Sequence, residues 1–285
     1  MSKGILGEFH ELAARGVVRA WPFPFGHLRL LAWTRAPAPR LETASTRLRG
    51  FPLRISFDPR SYIGMSLFYR GIYEEQIVAR IAALLRPGMT FVDIGANIGL
   101  HTLVAAHRVG NIGQVIAVEP QSRVYERLLH NVTLNGLRNV RAFRCAVGSA
   151  GGIMPLFQLS TENDGLATLR VRDHEEPVGS ETVEVMTLPA LLAVARVEHV
   201  HGIKIDTEGA ELSILKGAEA WLSRSPPAFM AIECNDAHLR RFGASSLQLI
   251  RFLQATGYRV LALRRGRWRT LRAGEDESAD LLALL

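Results

Sequence analysis

The run Phe91-Val92-Asp93-Ile94-Gly95-Ala96-Asn97-Ile98-Gly99 sets an apolar strand directly against a glycine turn and the start of a helix. Gly95 and Gly99 lack the Cβ that would hold a ligand off the backbone, and free N–H groups in such a turn can meet polar ligand atoms. Asp93 stands at the strand's carboxyl edge, where open parallel sheets bind their ligands. A tight strand-to-helix turn can also use glycine with no ligand at all, so this run alone leaves both readings open.

Roughly twenty residues beyond the turn, Gln114-Val115-Ile116-Ala117-Val118-Glu119-Pro120 ends a second apolar strand in an acid, which is the spacing of a ribose-binding carboxylate. Glu119 could accept hydrogen bonds from both ribose hydroxyls, or cap a helix beginning near Ser122. Two nucleoside cofactors suit the arrangement, a nicotinamide dinucleotide and S-adenosylmethionine. A dinucleotide fingerprint, Gly-x-Gly-x-x-Gly, bares the backbone to a pyrophosphate. Here Asn97 takes the middle position and Leu100 the third. S-Adenosylmethionine has no phosphate and needs polar side chains for its amino-acid end, which Asp93 and Asn97 could supply, so the methyl donor is favoured.

From Ile72 onward, strand and helix alternate. The periodicity predicts helices near 73–85, 98–109, 122–135, 188–195, 209–218 and 245–256, and strands near 90–94, 114–119, 140–145, 200–206, 228–234 and 258–263. Such alternation implies an α/β fold with right-handed crossovers and a mostly parallel sheet. Val260 to Leu263 and Arg267 to Arg269, joined by Arg264-Arg265-Gly266, form a hairpin that would give the sheet an antiparallel edge strand. Residues 1–70 are expected to be an N-terminal arm or cap, with an amphipathic stretch, the run Trp21-Pro22-Phe23-Pro24-Phe25, and strand or turn material from Phe51 to Phe57 with Tyr62. The aromatics want burial, on the core, over the site as a lid, or in a homodimer. Residues 71–285 form the main domain. Its alternation lapses between 149 and 187, a loop insertion in which Ile153–Phe157 and Thr182–Met186 look like extra strands around polar segments at 160–165 and 173–176.

Composition excludes little. The chain has 285 residues, 48% of them apolar and 21% charged, with a formal charge of +7. No apolar stretch reaches the roughly eighteen residues of a membrane span, and no signal-peptide pattern opens the chain, so the expected location is cytoplasmic. Cys145 and Cys234 each end an apolar strand and are expected to be buried small hydrophobes, not a disulfide. An arginine-rich surface explains the charge as well as nucleic-acid binding does.

The second informative run is Ile203-Lys204-Ile205-Asp206-Thr207-Glu208-Gly209-Ala210-Glu211. Asp206 ends a strand beside the glycine turn's crevice, and Glu208 and Glu211 lie around the first turn of the following helix. Acids favour a helix amino terminus by about 0.3–1 kcal/mol each. That preference explains one or two of the acids, which leaves a functional role for Glu208 or Glu211 open, and it does not explain Asp206.

Together, Phe91 to Gly99, Val118-Glu119-Pro120, Ala146-Val147-Gly148 and Ile203 to Glu211 resemble the FkbM-type S-adenosylmethionine-dependent methyltransferases over about residues 71–263. The resemblance implies a class I methyltransferase, Rossmann-like fold, and O-methylation of a hydroxyl on a small molecule such as a polyketide, a sugar or another secondary metabolite. By the same resemblance Asp93, Gly95, Asn97 and Gly99 match the donor-binding turn, and Glu119 with Pro120 the ribose acid. Ala146 and Val147 lie either against adenine or merely in a turn. Glu74 matches a glutamate before the first strand that could close over the methionine end, and Asp206 belongs to both donor and catalytic sets. Where the family places a glutamate followed by a histidine-like residue, this chain has Glu233-Cys234-Asn235-Asp236.

Methyl transfer to an alcohol needs the sulfonium carbon aligned with the acceptor oxygen and a base for its proton. Asp206, Glu208 and Glu233 are the candidate catalytic acids, with His101 and His238 as alternatives. Asp206, Glu233, Asn235 and Asp236 would also suit Mg²⁺ as an auxiliary ion. A different class, an RNA-modifying methyltransferase, would use Arg264, Arg265, Arg267, Trp268, Arg269 and Arg272. Against it, acids line the route a phosphate backbone would take, and nucleic acid is not the expected partner. A non-catalytic module that kept the fold would have lost the donor residues, which are present.

Overall fold

The computed structural model describes residues 42–160, 167–172 and 175–285. The amphipathic stretch and aromatic run of the arm, the dimer contact expected of them, and residues 161–165 and 173–174 of the polar segments expected at 160–165 and 173–176 lie outside the described residues.

Ala44–Arg47 (β1) and Arg54–Phe57 (β2) pair antiparallel, and Tyr62–Arg70 (α1) follows. The helix replaces the strand or turn expected around Tyr62. Ser61 starts it by accepting the Gly64 N–H at 3.0 Å, and Gly71 stops it in the left-handed conformation. Glu75–Leu84 (α2), Thr90–Ile94 (β3), Leu100–Val109 (α3), Gln114–Val118 (β4), Ser122–Leu134 (α4) and Val140–Phe143 (β5) then alternate as the periodicity predicts. Ala146–Val147 (β6), Gly152–Gln158 (β7), Ala167–Thr168 (β8) and Gly179–Met186 (β9) build a separate four-stranded sheet in the order β6-β9-β7-β8. Ala146 and Val147 are therefore strand residues, paired in parallel with β9, and not a turn. The chain continues through Leu188–Val194 (α5), Gly202–Ile205 (β10), Glu211–Gly217 (α6), Glu219–Leu222 (α7), Phe229–Ile232 (β11), Asp236–Leu239 (α8), Ser246–Ala255 (α9), Arg259–Arg264 (β12), Arg267–Thr270 (β13) and Leu281–Leu284 (β14).

The main sheet runs β13-β12-β14-β11-β10-β3-β4-β5. From β11 to β5 all neighbours are parallel, as the expected mostly parallel sheet requires. The expected β12–β13 hairpin forms the antiparallel edge. What the sequence did not announce is β14, which inserts between β11 and β12 and runs antiparallel to both. Its four apolar residues carry no periodicity that could separate strand from helix.

Every residue of β3, β10 and β11 is buried, as expected for strands covered on both faces. Only Asp93 and Lys204 bring a charge into them. Cys145 and Cys234 are buried free thiols. Among the described residues no helix is long and apolar enough to cross a membrane.

Asn131 on α4 ties the N-terminal hairpin to this core. Its Oδ1 accepts the Ser56 N–H at 2.7 Å, while its Nδ2 donates to the carbonyls of Ser56 at 3.0 Å and Ile98 at 2.8 Å. One turn later Asn135 treats Arg54 the same way, at 2.8 and 2.7 Å. The helix thus presents two amide side chains as a surrogate strand for β2. Asn131 is fully buried, so Asn131→Ala would strand three backbone groups at about 1–3 kcal/mol each, before any relaxation or water entry. Urea unfolding is expected to show a loss of about 3 kcal/mol; a loss below about 1 kcal/mol would mean that solvent replaces the clamp.

Candidate functional site

A cleft of about 480 Å³ opens at the carboxyl ends of β3, β4, β10 and β11. Gly95, with φ of 75°, is where its two sequence motifs touch. A Cβ there would stand 1.7 Å from the carbonyl oxygen of Asp206, so only glycine permits the contact. Beyond it, the Asn97 N–H donates to Glu119 Oε2 at 2.9 Å and the Gln121 N–H to Oε1 at 3.0 Å. Glu119 therefore joins the glycine turn to the start of α4. Burial raises its pKa to about 7 against the pull of those two N–H groups. Pro120, Ala146 and Val147 line the same end, with β6 forming an apolar wall.

Two predicted donor residues do not line the cleft. Gly99 turns the chain into α3 with φ of 96°, against the Leu128 side chain. Asp93 is fully buried beneath the turn, where it accepts the Thr102 hydroxyl at 2.6 Å. It faces Lys204 Nζ at 3.8 Å, and the same ammonium donates to Asp206 Oδ2 at 3.0 Å and to the Gly95 carbonyl at 3.4 Å. Burial alone would lower the Lys204 pKa, but Asp206, Asp93 and Glu74 outweigh it and hold the ammonium charged. The sequence reading passed over this residue. The signal was there, since a lysine inside Ile-Lys-Ile can be buried only if it is paired.

The rest of the second motif divides into site and scaffold. Glu211 is 1% exposed, and its Oε1 accepts the Thr207 N–H at 2.9 Å, the Thr207 hydroxyl at 2.9 Å and the Gly209 N–H at 3.1 Å. It holds the loop and does not line the cleft. That loop carries Glu208 in the left-handed region, φ 59°, and then Gly209, where a Cβ would stand 2.3 Å from the His238 carbonyl oxygen. Among the described residues five non-glycine residues have positive φ, and three of them, Glu74, Asn97 and Glu208, line this one cleft. Backbone strain of about 1–3 kcal/mol each is thus gathered around one cleft.

At the far end, His238 Nδ1 lies 2.8 Å from Glu208 Oε2 and 3.6 Å from Glu233 Oε2, close enough for ion pairs but without the alignment of a hydrogen bond. Burial raises the Glu233 pKa to about 8; the charges of Asp206, Glu208 and Glu211 add to this and His238 opposes it. Asn235 fixes the ring. Its Oδ1 accepts the Ala237 N–H at 3.1 Å, so the atom 3.3 Å from His238 Nε2 is the donor Nδ2. Nδ1 then carries a hydrogen in either state: in the neutral ring because Nε2 accepts from Asn235, in the cation by definition. Glu208 and Glu233 both favour that proton.

These details correct the metal reading. Asp206 is held by Lys204, and Asp236 accepts from Arg240 and Ser246, so the expected Mg²⁺ set does not assemble. The structure instead gathers Glu208, Glu233 and His238, whose ligand atoms lie within 4.8 Å of one another. Metal binding by Nδ1 would move its hydrogen to Nε2, against the Asn235 amide, where a metal-bound histidine needs an acceptor. In this structure Glu208 and Glu233 instead take His238 as their counter-cation, a pairing that a metal ion would have to displace.

Glu74 borders the cleft near His101, with Oε2 3.5 Å from Nε2. Burial raises the Glu74 pKa to about 8, and Asp206 adds to it. Burial, followed by the charge of Lys204, keeps His101 well below the ordinary histidine range, so its ring is neutral. Leu156, Ala167 and Thr168 of the second sheet, with Leu169 just after β8, complete the wall; nothing local in the insertion identified them beforehand.

The methyltransferase FkbM domain matches residues 93–260. The chain is 29% identical over 194 residues to methyltransferase sdnD of Sordaria araneosa, covering 58% of this chain and 73% of that protein. It is 27% identical over 145 residues to methyltransferase 1 of Beauveria bassiana, covering 45% and 57%. Among solved structures, precorrin-6y C5,15-methyltransferase of Geobacter metallireducens aligns with a TM-score of 0.42 at 12% identity, over 74% of this chain and 89% of that one. The matched span runs from Asp93 to Val260 and so takes in the glycine turn, Glu119, Lys204 to Glu211 and Glu233 to His238: the chain belongs to the FkbM methyltransferase family.

Proposed function

We propose that the protein transfers the methyl group of S-adenosylmethionine to a hydroxyl oxygen of a small molecule. The supporting observation is that a single cleft holds the glycine turn with Glu119 at one end and Glu233, with a pKa near 8, at the other.

S-Adenosylmethionine, when bound, supplies an electrophilic methyl group on a sulfonium. Glu119 has lone pairs left after its two backbone donors and would accept from the ribose hydroxyls. Ala146 and Val147 would face the adenine, Asn97 and Glu74 the amino-acid end, while Asp93 and Lys204 hold the turn in place from below. Glu233 would take the acceptor's proton, its pKa placed where a general base works near neutrality. His238 keeps its Nδ1 hydrogen and so serves the two carboxylates rather than acting as a base. Asp206, neutralised by Lys204, positions the acceptor's oxygen. The cleft's excess of carboxylates disfavours a phosphate backbone. Part of the arginine-rich edge is already engaged, since Glu277 answers Arg264 at 2.6 Å, Glu275 answers Arg269 at 3.3 Å, and Trp268 packs on the core.

Calorimetric titration with S-adenosylmethionine and with NAD tests the donor assignment. The methyl donor alone is expected to bind, and Glu119→Ala to weaken it about 10–100-fold, the effect of losing hydrogen bonds to a charged group. Because the ionised carboxylate is the better acceptor, affinity should rise with pH and level off above about 7. Equal binding by the variant, or binding of NAD, would sink the assignment.

A further inference from the structure

Beside Glu74 lies a second chamber, of about 330 Å³, that no step above uses. Tyr62, Ser66 and Arg70, successive turns on one face of α1, line one side. Gln76 on α2, Arg265 in the β12–β13 turn and Asp280 line the others. The chamber shares Tyr62, Tyr73 and Glu74 with the main cleft, and the two tyrosine rings meet edge to face with centroids 5.9 Å apart.

Two atoms show that polar matter belongs there. Ser66 is 1% exposed, yet its Oγ has no hydrogen-bond partner, although a helical serine that does not reach solvent ordinarily returns its hydroxyl to the preceding turn. Gln76 Oε1 is likewise buried without a partner. Interiors answer such atoms with protein, water or ligand. Arg70 is committed to Glu75 at 2.7 Å, which leaves Arg265 facing two acids, Asp280 and Glu74, whose pKa values burial raises to about 6 and about 8.

We infer that this chamber binds a neutral, hydroxyl-rich portion of the acceptor, remote from the oxygen that is methylated. Hydroxyls donate and accept, so they satisfy Gln76 Oε1 and Ser66 Oγ together and bridge Arg265 to Asp280. A carboxylate or phosphate would meet Asp280 and Glu74, an ammonium would meet Arg265, and an alkyl chain would leave Ser66 and Gln76 unanswered. The ring faces of Tyr62 and Tyr73 suit the C–H faces of a cyclic polyol. Space argues the same way. The main cleft lies within the roughly 300–1,000 Å³ of a single ligand site, and the nucleoside donor is itself such a ligand.

The inference rests on the proposed methyl transfer only for calling the ligand an acceptor, and its test needs no turnover. Saturation-transfer NMR with methyl α-D-glucopyranoside as probe is expected to show binding to the wild-type chain, and binding that persists when S-adenosylhomocysteine is added in excess. Gln76→Leu and Asp280→Asn, each checked for native circular dichroism, should each weaken it about tenfold. No wild-type signal, a signal displaced by S-adenosylhomocysteine, or an unchanged signal in both folded variants would overturn the inference. Should S-adenosylhomocysteine itself fail to bind while the glucoside does, the donor assignment falls and the chamber stands.

Discussion

Glu233→Gln is expected to lower kcat by about 10²–10⁴-fold, the usual range for removing a general base, while leaving donor affinity within about twofold of wild type, since Glu119 and the glycine turn are untouched. The pH profile carries the sharper signature. Glu233 must be ionised to accept a proton, and its pKa is raised to about 8, first by burial. Activity should therefore climb as pH rises and level off above about 8. The amide variant should lose that limb altogether. Glu74 also sits near 8, so Glu74→Gln is the control and should keep the limb. If Glu74→Gln flattens the profile and Glu233→Gln does not, the base has been assigned to the wrong end of the cleft.

Lys204→Met is expected to cost about 3–5 kcal/mol of folding stability, the range for removing one partner of a buried ion pair. The substitution keeps the shape of the stem, so packing changes little. What changes is that Asp93, fully buried, and Asp206 lose the cation between them. Burial already raises the Asp93 pKa and Lys204 opposes that rise; without the lysine it climbs further. A folded-state carboxyl with a raised pKa binds a proton more readily than the unfolded chain does, so the variant should recover stability as pH falls. Urea unfolding across pH measures this. Adding Asp93→Asn to Lys204→Met should restore part of the loss, as contacting residues in one network do not behave additively. A loss below about 1 kcal/mol at neutral pH would mean that the lysine is not what holds these acids.

The glycine turn and Glu119 were legible because their chemistry is local: φ angles that only glycine takes easily, and an acid one βα unit further on. The alternation of strands and helices was legible for the same reason. Lys204 was written in the chain, but its partner Asp93 is brought to it only by the parallel pairing of β10 with β3. Asn131 looked like an ordinary helix residue, since its partner Ser56 lies 75 positions away. Asp93 was placed in the cleft because strand-end acids often face ligands, whereas Thr102 and Lys204 draw it beneath the turn. Within the acid cluster at 206–211, sequence set Asp206 apart but gave Glu208 and Glu211 the same reading. Only the fold separates Glu211, spent on its own loop, from Glu208, which faces His238.

The position of β14 sets an order of events during synthesis. β11 is finished at residue 232 and β12 at residue 264, yet the strand that belongs between them arrives only at Leu281–Leu284. While the chain is being made, both strands present an open hydrogen-bonding edge toward the gap. Direct closure of β12 onto β11 would bring two parallel strands together and exclude the later arrival. Arg259 to Arg264 and Arg267 to Thr270 pair as a local hairpin, whose closure needs no later strand and would give β12 one satisfied edge during the wait. Unpaired strand edges invite other chains, so between residues 232 and 284 a nascent copy of this protein carries edges open to misassembly.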